Sequence, residues 1–206
     1  MRKPRSYHHG NLKKALLMAS LDLIRKSGAE AFTLREVARR AGVSHNAPYR
    51  HFRNKEELLA ALAAEGFDRL TAAMMKAAES ASGAMGRFRA SGRGYVDFAL
   101  RYPQHFAVMF DIPWQLDAYP RTRAEGERAF GTLLGYVEAC QAEGSLPAGD
   151  ARPFALLAWS MVHGVAKLAI GGRLPLAKAS DVLRFTDTAT GALAQGLAHA
   201  FEATNA

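Results

Sequence analysis

Thr33-Leu-Arg-Glu-Val-Ala-Arg-Arg-Ala-Gly42-Val-Ser44-His-Asn-Ala-Pro-Tyr49-Arg-His-Phe52-Arg-Asn-Lys55-Glu-Glu-Leu-Leu59 is the stretch whose reading decides the fold. Thr33 and Glu36 stand three apart ahead of Val37 and Ala38, the spacing of a capping box: the hydroxyl accepts from the Glu36 amide while the carboxylate reaches back. That opens a short helix to about Ala41, and Gly42-Val43 makes a tight turn. Ser44 is a suitable N-cap for a second short helix to about Phe52. Asn54 and Glu57 repeat the capping-box spacing and start a long helix through about Ser80. Leu34, Val37, Ala38, Val43 and Phe52 would form the small core that fixes the angle between the two short helices.

Working outward, Leu12, Ala15, Leu16, Ala19 and Leu23 recur at helical spacing, and Ser27-Gly28 ends that first helix with a C-terminal cap. Downstream, helices are expected at about Ala84–Tyr102, Pro103–Phe110, Thr122–Glu143, Arg152–Ile170 and Lys178–Phe201, punctuated by Pro113, Pro120, Gly144-Ser-Leu-Pro147 and Gly171-Gly172. The glycines from Gly83 to Gly94 weaken the start of the first of these, which could open as a loop or hinge. The expected fold is therefore all-α, with about nine helices. An N-terminal three-helix module at 1–55 would precede a helical domain at 56–206.

Charge divides along the same line. The chain has 206 residues and a formal net charge of +8. Residues 1–55 hold 13 Lys and Arg against Asp22, Glu30 and Glu36, whereas residues 56–206 hold 14 against 16 Asp and Glu. A basic head on a near-neutral body suits a polyanion, because clustered cations gain affinity by releasing counterions from phosphates. Two short helices joined by a glycine turn, carrying that excess, have the form of a helix-turn-helix whose second helix enters the major groove. His45, Asn46, Tyr49 and Arg50 are types suited to base edges and phosphates, Asn to adenine and Arg to guanine.

Other classes are set aside on the residues. With Cys140 as the sole cysteine there is no internal disulfide and no multi-cysteine metal site, which fits a reducing cytoplasm. Polar Ser6-Tyr-His-His-Gly10 stands where a signal peptide needs an apolar core. Phe154–Ile170, broken by Ser160, His163 and Lys167, reads as a buried core helix rather than a membrane span. His8 and His9 are adjacent, so they point to different sides of a helix, and no carboxylate or thiolate completes a metal site. No catalytic pairing or phosphate loop is visible, so no enzyme, cofactor or metal is expected.

The quoted stretch closely resembles the N-terminal module of the tetracycline-repressor (TetR) family of bacterial transcription regulators, over Asn11 to about Leu59. Trp159-Ser-Met-Val-His163-Gly164 also resembles the Trp-His-Gly signature of one C-terminal domain class in that family. The resemblance implies that Ser44, His45, Asn46, Ala47 and Arg50 face the groove. Tyr49, His51, Lys55, Thr33 and Arg35 would grip phosphates together with the amide at the start of the helix opened by Asn54, and Arg2, Lys3 and Arg5 would supply an arm. Pro48 departs from many members, removing one N–H from the recognition helix.

It further implies a small-molecule pocket among the central helices. Phe88, Tyr95, Phe98, Phe106, Met109, Phe110, Trp114, Phe130, Tyr136 and Trp159 make a large aromatic and Met set. From it, Phe98, Met109, Phe110, Trp114 and Trp159 are candidate ligand contacts, with Arg101, His105, Gln115 and His163 as candidate polar groups. The last two helices carry Ala155, Ala158, Ala166, Ala169, Ala189, Ala192, Ala194, Gly196 and Ala198, small residues that permit a four-helix homodimer interface. The expected function is a cytoplasmic, homodimeric regulator, most often a repressor in this family. It would bind a palindromic double-stranded operator and be released by a small, largely apolar effector. The alternative is an effector-independent architectural DNA-binding protein.

Overall fold

A computed structural model describes residues 9–204, and the side chains of 12–115 and 117–196. Eight α-helices follow in order: α1 His9–Ser27, α2 Leu34–Arg40, α3 Lys55–Glu79, α4 Gly83–Arg101, α5 Pro103–Phe110, α6 Pro120–Ala142, α7 Ala151–Ile170 and α8 Ala179–Thr204. Two single 3-10 turns, Pro48–Arg50 and Leu116–Ala118, lie between them, and no strand occurs among the described residues. Arg2, Lys3, Arg5 and His8 lie outside the described residues.

The helix expected from Ser44 to Phe52 is the main departure. It is a turn followed by the 3-10 turn Pro48–Arg50. An α-helix would need an N–H at position 48 to reach the Ser44 carbonyl, and proline has none. The chain instead uses tighter bonds, Ala47 N–H to Ser44 O (2.9 Å), Arg50 N–H to Ala47 O (3.3 Å) and His51 N–H to Pro48 O (2.9 Å). Eight helices thus stand where nine were expected.

By packing, the chain divides into two compact units. The first runs up to Glu65 and includes Gln104–Thr122. Its core holds Leu16, Leu34, Val37, Ala38, Phe52, Leu58 and Leu62, all at most 5% exposed. Gly28, at φ +83°, closes α1 by donating its N–H to Ile24 O at 2.9 Å. Thr122 ties the later segment to the earlier one, its hydroxyl donating to Ala60 O at 3.0 Å. The second unit holds Gly66–Pro103 and the chain from Arg123 onward, with α4 packed on both α7 and α8.

The glycines that weakened the sequence reading of α4 are what its packing requires. A Cβ at Gly94 would sit 2.6 Å from the Ala73 carbonyl oxygen on α3, and one at Gly92 3.3 Å from Val162 and 3.5 Å from Thr190. The helix persists because close approach to three neighbours offsets the glycine penalty of ~1 kcal/mol per residue. Its start is held from outside: the Glu143 carboxylate accepts the Ala84 N–H at 2.8 Å and pairs with Arg87 at 3.3 Å. Cys140 is fully buried, and that burial, reinforced by Glu143, pushes its thiol up to about 11.

α7 corrects two expectations. It is long and apolar enough to cross a membrane, yet only 28% of its most apolar window is buried, so it is a core helix on one face alone. Ala155, Ala158, Val162, Val165 and Ala166 are buried, whereas Leu156, Leu157 and Leu168 are 43–49% exposed. Ala155, Ala158 and Ala166 therefore face this chain's own core rather than a partner. Ala194 on α8 is buried too. The small-residue pattern marked helix-helix contact correctly in kind, but the contact lies within the second unit. The Ala198 side chain lies outside those described.

Candidate functional site

On the first unit, α2 begins with the capping box read from the sequence. Thr33 Oγ1 accepts from Glu36 N–H at 3.3 Å, and Glu36 Oε2 accepts from Thr33 N–H at 2.8 Å and from its hydroxyl at 3.0 Å. The Thr33 N–H, then its hydroxyl, hold the Glu36 carboxyl below its usual range. The second box forms by half. Asn54 Oδ1 accepts from Glu57 N–H at 2.9 Å, but the Glu57 carboxylate reaches past Asn54 to the Arg53 N–H at 2.6 Å. The Arg53 N–H, ahead of its guanidinium, holds Glu57 low. Arg40 clamps Asp22 through two nitrogens, at 2.7 and 3.2 Å, joining α2 to α1.

Between the boxes, a polar turn stands on an apolar footing. Ser44, His45, Asn46, Tyr49 and Arg50 are exposed, Tyr49 at 52%, while Ala47, Pro48 and Phe52 are buried. Ala47 was expected to face the groove; the tight Ser44–Ala47 turn directs its methyl inward instead. Thr33 and Arg35 are exposed at the start of α2. His51 is half-buried, with a buried Nε2 that has no hydrogen-bond partner among the described residues. Lys55 is committed structurally, donating from Nζ to Glu30 O at 2.7 Å and lying 4.9 Å from the Phe32 ring centre.

The candidate ligand contacts divide between the units. His105, Met109, Phe110 and Trp114 belong to the first, where His105 and Met109 are buried and Trp114 donates its indole N–H to Val108 O at 3.0 Å. Gln115 is exposed there. His105 Nε2 stands 3.8 Å from a Glu65 carboxylate oxygen, an ion pair only when the ring is protonated. Phe98, Arg101, Trp159 and His163 belong to the second unit. Phe98 is buried, and Arg101 is an exposed partner of Asp97 at 2.8 Å.

Trp159 and His163 meet on one residue that the sequence reading placed only in the general aromatic set. Tyr95 on α4 is buried, its hydroxyl 3.2 Å from Trp159 Nε1 and 2.9 Å from His163 Nδ1. An indole N–H can only donate, so the phenol oxygen accepts from Trp159 and directs its single proton to His163 Nδ1, placing the imidazole proton on Nε2. Burial raises the Tyr95 pKa and keeps the phenol neutral. The Tyr95 ring also lines a void in the second unit with room for about one water, roughly 10 Å³, together with Met74, Phe88, Leu133 and Val162.

A small α-helical head with a polar, cationic turn raised on an apolar footing defines a helix-turn-helix protein, and the body that follows is wholly helical among the described residues. Comparison with known proteins agrees. Residues 16–62 match the family model for bacterial regulatory proteins, tetR family, and residues 88–193 match that for the tetracyclin repressor-like C-terminal domain. The chain belongs to the tetR family of bacterial regulatory proteins; it is a DNA-binding transcriptional regulator and not an enzyme. The Trp-His-Gly class rests on the motif alone.

Among similar proteins is a structure of a protein of unknown function from Rhodococcus sp. RHA1, 39% identical, covering 95% of this chain and 100% of that one, with a TM-score of 0.82. The tetracycline repressor protein class A from transposon 1721 (Escherichia coli) is 48% identical over 48 residues, 23% of this chain. The HTH-type transcriptional activator FasR of Mycolicibacterium smegmatis is 30% identical over 110 residues, 53% of this chain. The matches span 22% and 48% of the length of these two curated relatives.

Proposed function

We propose that this chain regulates transcription as a homodimer on a palindromic operator and is released from it by a small, largely apolar effector, acting as a repressor in the cytoplasm. Residues 1–55 read DNA, and residues 56–206 bind effector and dimerise. The observation that carries the reading is the exposure of His45, Asn46, Tyr49 and Arg50 on one turn whose other side, Ala47, Pro48 and Phe52, is buried. A rigid footing holds four hydrogen-bonding side chains toward solvent, as base readout requires. Thr33 and Arg35 flank them to contact phosphates. Lys55 and His51 serve the same surface from beneath, Lys55 by fixing the Glu30–Phe32 loop.

Dimerisation is supported by the outward face of α7 and α8. Leu156, Leu157 and Leu168 with Phe185 leave apolar surface uncovered, and exposed Ser160 lies on the same α7 face. A two-fold interface would cover it and set two reading turns on half-sites about one helical turn, ~34–36 Å, apart. Of the effector contacts, Phe98, Trp159 and His163 in the second unit and His105, Met109, Phe110 and Trp114 in the first remain the residues assigned to that role, with Arg101 at the rim.

The test is selection of duplexes from a random pool by the purified full chain, followed by footprinting of the winners with and without a compound library. A palindromic winner released by a compound supports the whole reading. Enrichment of no sequence while bulk DNA still binds, with steep loss of binding as salt rises, would favour an architectural role. On the selected site, Arg50→Ala is expected to relax preference at one base pair by about 1–3 kcal/mol, and Tyr49→Ala to weaken all sequences alike. If both merely scale affinity, the groove assignment is wrong.

A further inference from the structure

The void in the second unit lies where α4 meets α7 and α8, and three hydroxyl groups stand around it: Ser91, Tyr95 and Thr190. Two are committed to backbone on their own helices, Ser91 donating to Phe88 O and Thr190 to Thr186 O, each at 2.7 Å. The Tyr95 proton alone is directed at a side chain, His163, and a side-chain acceptor can be exchanged for another without breaking a helix. The void itself is floored by Gly92, which leaves out a side chain between Val162 and Thr190. It is walled by Met74, Phe88 and Leu133. Met74 has three rotatable bonds and a soft thioether, so this wall yields at low cost.

None of the lining residues is Lys, Arg or His. A carboxylate brought here would be desolvated without a fixed counter-charge, whereas a neutral oxygen would lose little. We propose that this void is the effector site and that its ligand is a slim, neutral, unbranched molecule with one hydrogen-bond acceptor, a ketone or ester oxygen, which takes the Tyr95 proton in place of His163. The inference rests on the effector reading above and deepens it. Occupancy would part the Tyr95–His163 bond and loosen α4 from α7, so Trp159, whose N–H the same phenol oxygen accepts, would report binding through its fluorescence.

The test uses the full chain, with equilibrium dialysis against 2-nonanone, nonane and nonanoate, and release from the selected DNA site measured in parallel. The ketone is expected to bind about tenfold more tightly than the alkane, the value of one buried hydrogen bond, and more tightly than the carboxylate. Tyr95→Phe is expected to erase the ketone's advantage while leaving the alkane unchanged. Gly92→Ala, adding one methyl to a one-water void, is expected to weaken both. A thermal melt of each variant separates lost binding from lost folding. Equal binding of ketone and alkane, tighter binding of nonanoate, an unaltered ketone affinity in Tyr95→Phe, or no binding of any probe would overturn the proposal. Release of the same DNA by another compound in any of those cases would leave the effector reading standing while this site falls.

Discussion

The two packing units are built by different means. In the first, order is set at helix ends, by Thr33 and Glu36, by Asn54, Arg53 and Glu57, and by the Arg40–Asp22 clamp, around a modest core centred on Phe52 and Val37. In the second, order comes from helix interiors brought close together, with Gly94 against the Ala73 backbone, Gly92 against Val162 and Thr190, and a buried Tyr95 bonded to two side chains of α7. Polar termini fix angles between short helices that have little area to bury. Long helices dispense with such devices and spend glycines on contact instead.

Removing Phe52 should break the first unit most. It is 2% exposed, and Phe52→Ala is expected to cost about 3–5 kcal/mol. Native-state hydrogen exchange should localise the loss to α1, α2 and the start of α3; protection lost equally in α7 and α8 would mean that the units do not open independently. The matching attack on the second unit is Gly94→Ala, whose new methyl meets a carbonyl oxygen at 2.6 Å. A penalty of about 1–3 kcal/mol in urea unfolding is expected, and a neutral result would show that α4 can shift away from α3.

Thr33→Ala should cost about 1 kcal/mol by removing an N-cap, with Thr33→Ser restoring most of it. The smallest effects separate the units by pH. Asp22, held low by Arg40, and Glu36 and Glu57, held low by backbone N–H groups, start from ordinary values of 3.8 and 4.5. Their folded values are lower, so the stability they contribute is present above pH ~5 and lost as pH falls through those folded values. Tyr95, Tyr136 and Cys140 are raised by burial from 10.0, 10.0 and 9.0. Their contribution is present below pH ~9 and lost as pH rises through the folded values. Exchange protection should therefore fall first in the first unit under acid and first in the second under alkali. The reverse order would contradict the assignment of these groups.

Legibility in the sequence follows the same division. The first unit could be read because caps act between residues three or four apart: Thr33 with Glu36 and Asn54 with Glu57 are visible as spacing. The reading failed at Ser44–Phe52, where Pro48 withholds one N–H and the chain takes 3-10 bonds, turning Ala47 inward. In the second unit, helix existence was legible but helix phase was not. Ala155, Ala158 and Ala166 signal close packing, yet nothing local says whether the partner is α4 or another chain. Tyr95 escaped selection because its partners lie 64 and 68 residues away, and only folding makes Trp159 and His163 its neighbours.

Cys140 has a practical corollary. The thiolate is the reactive form, and a fully buried thiol pushed to about 11 exposes almost none of it at neutral pH. The chain thus offers a chemically silent background for site-directed labelling. A single cysteine introduced at an exposed position such as His45 or Ala192 can carry a fluorophore or spin label without first replacing the native residue.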